Sequence, residues 1–299
     1  MNILLSGITG FLGSHLSRGL LNEKHCVIGL KRSFSDMVKI ADIARDIELY
    51  DIDRGGIESA YRAHKVDVVI HTATAYGHNN AGMAAINEAN VHFPLQLMDR
   101  AMAGGCKAFI NTDTFFNTEK SSYGYLNSYI LSKKHFKEWL QGVSSSTDMR
   151  LINMRLQHVF GPADNNNKFV PWIMQQLLEN VESIDLTPGE QQRDFIFVDD
   201  VVSAYLTVLN HLDDLEGYWQ SDIGTGQAIT LRKFIESCWQ VCKNKYRPDL
   251  NTKLGFGKVP YRKNEFFNIE ENTDPLRLLG WKAVTRLEKG IENTLKSLV

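Results

Sequence analysis

The chain has 299 residues, with 33 Lys and Arg against 35 Asp and Glu, a formal charge of −2, and 43% hydrophobic content. That length suffices for one large domain or two unequal lobes. The near-neutral balance gives no reason to expect nucleic acid or an acidic membrane as a partner, although local clusters of Lys and Arg remain able to bind phosphate. No run approaches the ~18 apolar residues of a membrane span. The N-terminus MNILLSGITG has no basic region ahead of its apolar run, and glycines interrupt that run early, so no secretory leader is expected and a cytoplasmic location is. Cys26, Cys106, Cys238 and Cys242 lack the spacing of a metal set and read as reduced thiols, with no metal site.

In chain order, β-rich runs at 2–6, 26–30, 47–50, 66–71 and 108–112 alternate with helical patterns at 12–21, 57–64 and 94–104. Strands alternating with helices predict βαβ units and a parallel, doubly wound α/β sheet. The segment VDVVIH is apolar nearly throughout, which suits a strand covered on both faces. A helix over 128–141 leads to a sixth strand at 150–155. Residues 158–168 read as a loop rich in Gly, Pro, Asp and Asn. Helices are predicted at about 170–180, 201–212, 231–241 and 286–297. Residues 1–160 are therefore read as a dinucleotide-binding domain. Residues 161–299 are read mainly as a smaller substrate lobe, with some segments returning to the first domain.

The first strand runs directly into GITGFLG, where Gly7, Gly10 and Gly13 form GxxGxxG ahead of the first helix. Such a turn needs a residue without Cβ, close approach of backbone to a pyrophosphate, and tight packing of helix on strand. The helix N-terminus then presents free N–H groups and a positive dipole end to phosphate. Gly7, Thr9, Gly10, Phe11 and Leu12 are accordingly expected around a dinucleotide. The second strand ends in Lys31 and Arg32, where an NAD site usually places an acid. Arg32 can grip a phosphate through two parallel hydrogen bonds, so NADP(H) is favoured over the alternative of a solvated surface pair.

Tyr129 and Lys133 form YxxxK on one face of the helix after the fifth strand. An ammonium beside a phenol is expected to lower its pKa and let it exchange a proton with a carbonyl oxygen near neutral pH. Tyr61 and Lys65 match the same pattern, but they precede the fourth strand and are read as packing and solvent contacts. Thr112 ends the fifth strand, so its hydroxyl is expected at the carboxyl edge of the sheet, where ligands bind in such folds.

Together these segments resemble the extended short-chain dehydrogenases/reductases over nearly the whole chain. The resemblance is carried by GITGFLG, Asp51-Ile52, HTATA at 71–75, Asn90, Thr112, Tyr129-x-x-x-Lys133, RDFIFVDDV at 193–201 and Leu279-Gly280-Trp281. It implies that Asp51 and Ile52 meet adenine, that Thr72, Ala73, Thr74 and Asn90 line the coenzyme, and that a nucleotide diphosphate sugar binds between the lobes. It further implies diphosphate-gripping roles for Arg193 and Arg262, a nucleotide-binding loop at Lys168 and Phe169, and substrate contacts at Tyr76, Asp113 and His158. His158 departs from the pattern, since many members carry Asn there. Arg193 has an alternative as a partner for Asp194 or Asp199. The helices carrying Pro94 and Tyr129 match the pair that joins two subunits in this family, so a homodimer is expected, with Phe136, Trp139 and Leu140 supplying apolar surface.

Dehydratases of the family place Thr-Asp-Glu at the strand end, whereas this chain has Thr112-Asp113-Thr114 and lacks the second carboxylate for elimination. Epimerases hold NAD tightly, while the basic Lys31-Arg32 pair suits an NADPH-exchanging reductase. TATAYGH (72–78), FINTDTFF (109–116) and NMRLQHVFGPADNNNKFVPWI (153–173) resemble the members that reduce CDP-4-keto-3,6-dideoxyhexoses for bacterial O-antigen. The alternatives are an epimerase with bound NAD, a dTDP-4-keto-6-deoxysugar reductase, and a non-catalytic NADP-binding protein.

Overall fold

The computed structural model describes residues 1–77, 82–117 and 126–299; His78, in the 72–78 segment, lies outside them. The N-terminal half runs β1 (Asn2–Ser6), α1 (Phe11–Asn22), β2 (Cys26–Lys31), β3 (Ile47–Asp51), α2 (Gly56–Ala63) and β4 (Val68–His71). It continues through α3 (Met83–Asn87), a π-helical turn (Glu88–His92), α4 (Phe93–Ala103), β5 (Ala108–Thr114), α5 (Asn127–Val143) and β6 (Arg150–Leu156). The remaining elements are β7 (His158–Phe160), α6 (Phe169–Leu178), β8 (Ser183–Leu186), β9 (Gln192–Arg193), β10 (Phe195–Phe197), α7 (Val198–Asn210) and β11 (Tyr218–Ile223). They end with β12 (Ile229–Thr230), α8 (Leu231–Lys245), β13 (Lys253–Phe256), α9 (Asp274–Leu278) and α10 (Leu287–Lys296).

Seven parallel strands form the main sheet in the order β11-β6-β5-β4-β1-β2-β3. The order reverses between β1 and β4, and a crevice opens outside the carboxyl ends of the strands at that point. Because alternate strand residues face opposite sides, two cores form. Ile3, Leu5, Ile70, Ile110 and Met154 pack against α1 and α7, whereas Leu4, Val69, Phe109 and Leu151 pack against α2, α4 and α5. A third core gathers Phe160, Phe195, Phe197, Phe234 and the apolar faces of α6, α8 and α10.

Two expectations change. Residues 158–160 are not loop: Phe160 is buried and β7 pairs with β10, because Val159 and Phe160 gain a hydrophobic partner that the Gly- and Asn-rich flank hides in sequence. The edge strand β11 was not expected, since YWQSDI has no clean apolar alternation. Its polar residues are satisfied instead by partners, with Asp222 held in a bidentate ion pair by Arg155 of the neighbouring strand β6. No helix among the described residues is long and apolar enough to cross a membrane.

Candidate active site

One cleft of about 960 Å³ runs along the carboxyl edge of the sheet and into the C-terminal lobe. Its floor is the β1–α1 turn. Gly7 has φ +73°, and a Cβ there would lie 2.6 Å from the Ala73 nitrogen, so only glycine fits. A Cβ on Gly13 would collide with the Gly7 carbonyl, which lets α1 sit hard against β1. Gly10 caps α1 without any side-chain hydrogen bond, leaving the first-turn N–H groups to a ligand. Gly7, Thr9, Gly10, Phe11 and Leu12 all line this part of the cleft, beside Thr72, Ala73 and Thr74. A backbone cradle that any added Cβ would fill, at a helix N-terminus, fits the pyrophosphate of a dinucleotide.

Lys31, Arg32, Ser35 and Ile52 line the far end. The Arg32 guanidinium lies 5.7 Å over the Phe34 ring, and Lys31 Nζ is 3.7 Å from Asp51 Oδ2. Asp51 stays outside the lining. Its carboxylate accepts from Ser33 Oγ at 2.7 Å and from the Asp53 N–H at 3.1 Å, which fastens the loop after β2, and the Ser33 hydrogen bond holds its pKa below the usual value. Asn90 is likewise not in the lining. It is buried, its amide exchanges two hydrogen bonds with the Ala75 backbone and donates to Ser132 Oγ at 2.9 Å, so it ties the 72–75 loop to α5.

Tyr129 and Lys133 meet the cleft midway, both buried. Lys133 Nζ donates to the Thr112 carbonyl at 2.8 Å, and burial brings its pKa down to about 8. The expected lowering of the Tyr129 pKa is not seen. Burial first, then the neighbouring Tyr76 and Asp113, pushes the phenol well above its ordinary value, so it is neutral and carries its proton. Its ring centroid is 4.9 Å from that of Tyr76. The Thr114 hydroxyl, which sequence reading treated only as a missing carboxylate, works against that rise and also lines the cleft. Two-residue strand periodicity was the available signal, because Thr114 shares a face with Thr112. Thr112 lines the cleft, and its Oγ1 lies 2.7 Å from the Tyr205 hydroxyl of α7.

Asp113 points to the opposite face of β5. Its carboxylate accepts from the Thr114 N–H, Asn117 Nδ2 and Asn153 Nδ2 at 2.8–2.9 Å, and burial raises its pKa. Both oxygens are so engaged, and Asp113 lines the cleft between Thr112 and Thr114. Tyr61 lies far from the cleft, with its phenol 3.8 Å from Cys106 Sγ within the core under α2 and pushed up by burial.

The lobe end of the cleft gathers His158, Lys168, Phe169, Arg193, Glu265 and Arg262. His158 sits between the Phe115 and Phe195 rings, at 5.4 and 5.2 Å, and its Nδ1 has no hydrogen-bond partner. Burial, with Arg193 and Lys168 nearby, lowers its pKa to about 3, so the imidazole is neutral. Lys168 Nζ pairs with Asp164 at 2.9 Å and lies over the Phe11 and Tyr76 rings. Arg193 is partnered by neither Asp194 nor Asp199. It binds Glu265 Oε1 at 2.9 Å and the Phe266 carbonyl at 2.6 Å, while Asp194 accepts from Thr225 and Gly226 and Asp199 faces His15. Glu265, from a segment 72 residues away, could not be found from sequence spacing. On the outer face of α5, Phe136 and Leu140 are core residues, leaving Leu131 and Trp139 as the exposed apolar groups; β-sheet packing claims the other two.

Residues 3–224 match the model of the NAD dependent epimerase/dehydratase family. The chain is 35% identical over 305 aligned residues to CDP-abequose synthase of Salmonella typhimurium, covering 99% of this chain and 98% of that one. In fold it resembles the UDP-glucose 4-epimerase of Thermotoga maritima with UDP-glucose (TM-score 0.82, 23% identity, 100% and 98% of the two chains). It also resembles that of Stenotrophomonas maltophila with bound NAD and formylated UDP-arabinopyranose (TM-score 0.85, 20% identity, 99% and 97%). With its sheet, glycine turn and YxxxK helix assembled on one cleft, the chain belongs to the NAD dependent epimerase/dehydratase family.

Proposed function

We propose that this protein uses NADPH to reduce the C4 ketone of a nucleotide-diphosphate-linked 4-keto-deoxyhexose. The preferred substrate is CDP-4-keto-3,6-dideoxy-D-glucose and the product CDP-abequose, a precursor of O-antigen or another surface polysaccharide made in the cytoplasm. The observation that carries this reading is the order of groups along the cleft. A basic pair, Lys31 and Arg32, stands at the end of β2, Tyr129 and Lys133 on α5 after the more central β5, and Arg193 with Arg262 in the C-terminal lobe, all lining one cleft. That order suits a 2′-phosphate, a reacting carbonyl and a diphosphate in turn. The similarity to a CDP-abequose synthase supports the choice of sugar nucleotide.

NADPH, when bound, supplies the hydride for the carbonyl carbon. Tyr129, neutral because it is buried, gives its proton to the oxygen that becomes an alkoxide. Lys133, steadied by the Thr112 carbonyl, would hold the nicotinamide ribose with its ammonium. Thr112 hydrogen-bonds the reacting oxygen. His158, as a neutral imidazole, adds no charge beside the diphosphate that Arg193 and Arg262 hold. Thr114 in place of an acid leaves elimination without its proton acceptor, which favours reduction over dehydration.

The test is NADPH oxidation against a panel of CDP-, dTDP- and GDP-4-keto-deoxysugars. Turnover with the CDP compound first is the expected result. Tightly bound NAD after purification with no net coenzyme consumption would instead identify an epimerase. We also propose a homodimer through α4 and α5, with exposed Leu131 and Trp139 at the seam. Sedimentation of the wild type as a dimer, and of Trp139→Glu as a monomer, is expected at micromolar concentration.

A further inference from the structure

We infer that Tyr205 is a positioning residue that aims the Thr112 hydroxyl at the oxygen of the substrate. The inference rests on the reductase reading above, in which Thr112 hydrogen-bonds that oxygen. Tyr205 lies in the middle of α7, with its whole side chain buried against the sheet. Such a ring would pack as well without its hydroxyl. Instead the hydroxyl ends 2.7 Å from Thr112 Oγ1.

The direction of that bond follows from the chemistry of the two groups. A phenol is a stronger acid than an aliphatic alcohol, so it is the better donor, and the alcohol oxygen is the better acceptor. Tyr205 therefore donates and Thr112 accepts. The single proton of Thr112 is then left to point along the cleft that the residue lines. Without Tyr205, the Thr112 hydroxyl would rotate among its wells and spend time as an acceptor, the wrong polarity for a developing alkoxide. Thr112 is thus held at two points from opposite sides of β5. Lys133 of α5 takes its carbonyl at 2.8 Å, and Tyr205 of α7 takes its hydroxyl. This ties α7, which carries no other group of the proposed reaction, to the reacting centre. Burial raises the Tyr205 pKa, so the phenol keeps the proton it must donate across the working range of pH.

A double-mutant cycle tests the assignment, using Tyr205→Phe, Thr112→Val and the pair, assayed with whichever panel sugar the wild type reduces. Tyr205→Phe keeps the ring and removes one oxygen. It is expected to lower kcat about tenfold, the scale of one well-made hydrogen bond, with the KM for NADPH within twofold. In the Thr112→Val background the same change is expected to have no further effect on kcat, because the group it acts through is gone. Thr112→Ser, which retains the hydroxyl, should restore the sensitivity. Wild-type kcat in Tyr205→Phe, or an equal loss in both backgrounds, overturns the proposal. Incorporation of 3-fluorotyrosine at 205 covers the case of a poorly folding Phe variant. It keeps ring and hydroxyl, sharpens the donor, and must alter kcat only where residue 112 bears a hydroxyl. Unfolding midpoints of the same four proteins read the bond without any reaction. Coupling there with none in kcat makes Tyr205 merely structural and overturns the role assigned. A wild type inactive on every panel sugar overturns the reductase reading instead.

Discussion

The part of the cleft around Gly7 and the part around Arg193 present their polar groups by different means. At Gly7 the groups presented are backbone N–H at the start of α1, and the side chains serve mostly by being small. At Arg193 the groups presented are side chains, each kept in place by a partner: Glu265 and Phe266, more than 70 residues on, for Arg193, and Asp164 of the same loop for Lys168. The comparison teaches where each end is vulnerable. A backbone site fails when bulk is added, whereas a side-chain site fails when a partner is removed. Tyr129 and Lys133 combine the two modes, since a side chain donates to the backbone carbonyl of Thr112.

The largest expected effect lies at the junction of the two ends. Tyr129→Phe should lower kcat by ~10²–10⁴-fold while leaving NADPH affinity intact, measured by steady-state kinetics and coenzyme titration. Tyr61→Phe, which breaks the other YxxxK, should leave kcat nearly unchanged; the reverse pattern would move the active site. The lobe end is broken next. Glu265→Ala removes a carboxylate paired with a buried guanidinium and is expected to cost about 3 kcal/mol in denaturant unfolding. It should also raise the KM for the sugar nucleotide while sparing that for NADPH. An equal rise in both would mean the two ends are not independent.

At the coenzyme end, Arg32→Ala should raise the KM for NADPH about tenfold and that for NADH little, as the loss of a charge-assisted phosphate contact requires. A wild type that prefers NADH refutes that assignment. The smallest effect is a pH dependence. Lys133, lowered to about 8 by burial, is cationic below that pH and loses its charge as the pH rises through it. NADPH affinity is therefore expected to weaken a few-fold between pH 7 and 9. In Lys133→Arg, whose charge persists, the slope should flatten; an unchanged slope assigns the titration to another group.

Much of the first half was legible because its signals are local. The glycine spacing, the apolar β4 and the amphipathic α1 each depend on residues within one turn or one strand, so α1 and β1 emerge within a residue of the expected bounds. The YxxxK pattern was legible for the same reason, but choosing between Tyr129 and Tyr61 took the order of strands. What the amino-acid sequence determined by itself was the parallel sheet, the glycine turn between β1 and α1, and the helix that carries Tyr129 and Lys133. Only the tertiary structure decided that β7 and β11 are strands, because their partners, β10 and β6, are brought beside them by long crossovers. It likewise decided that Asn117 and Asn153 hold Asp113, that Asn90 ties the 72–75 loop to α5, and that Tyr205 reaches Thr112. The physical reason is common to all of these. A hydrogen bond between groups 93 residues apart, as in Thr112 and Tyr205, follows no sequence period and exists only once both core faces of the sheet have been packed.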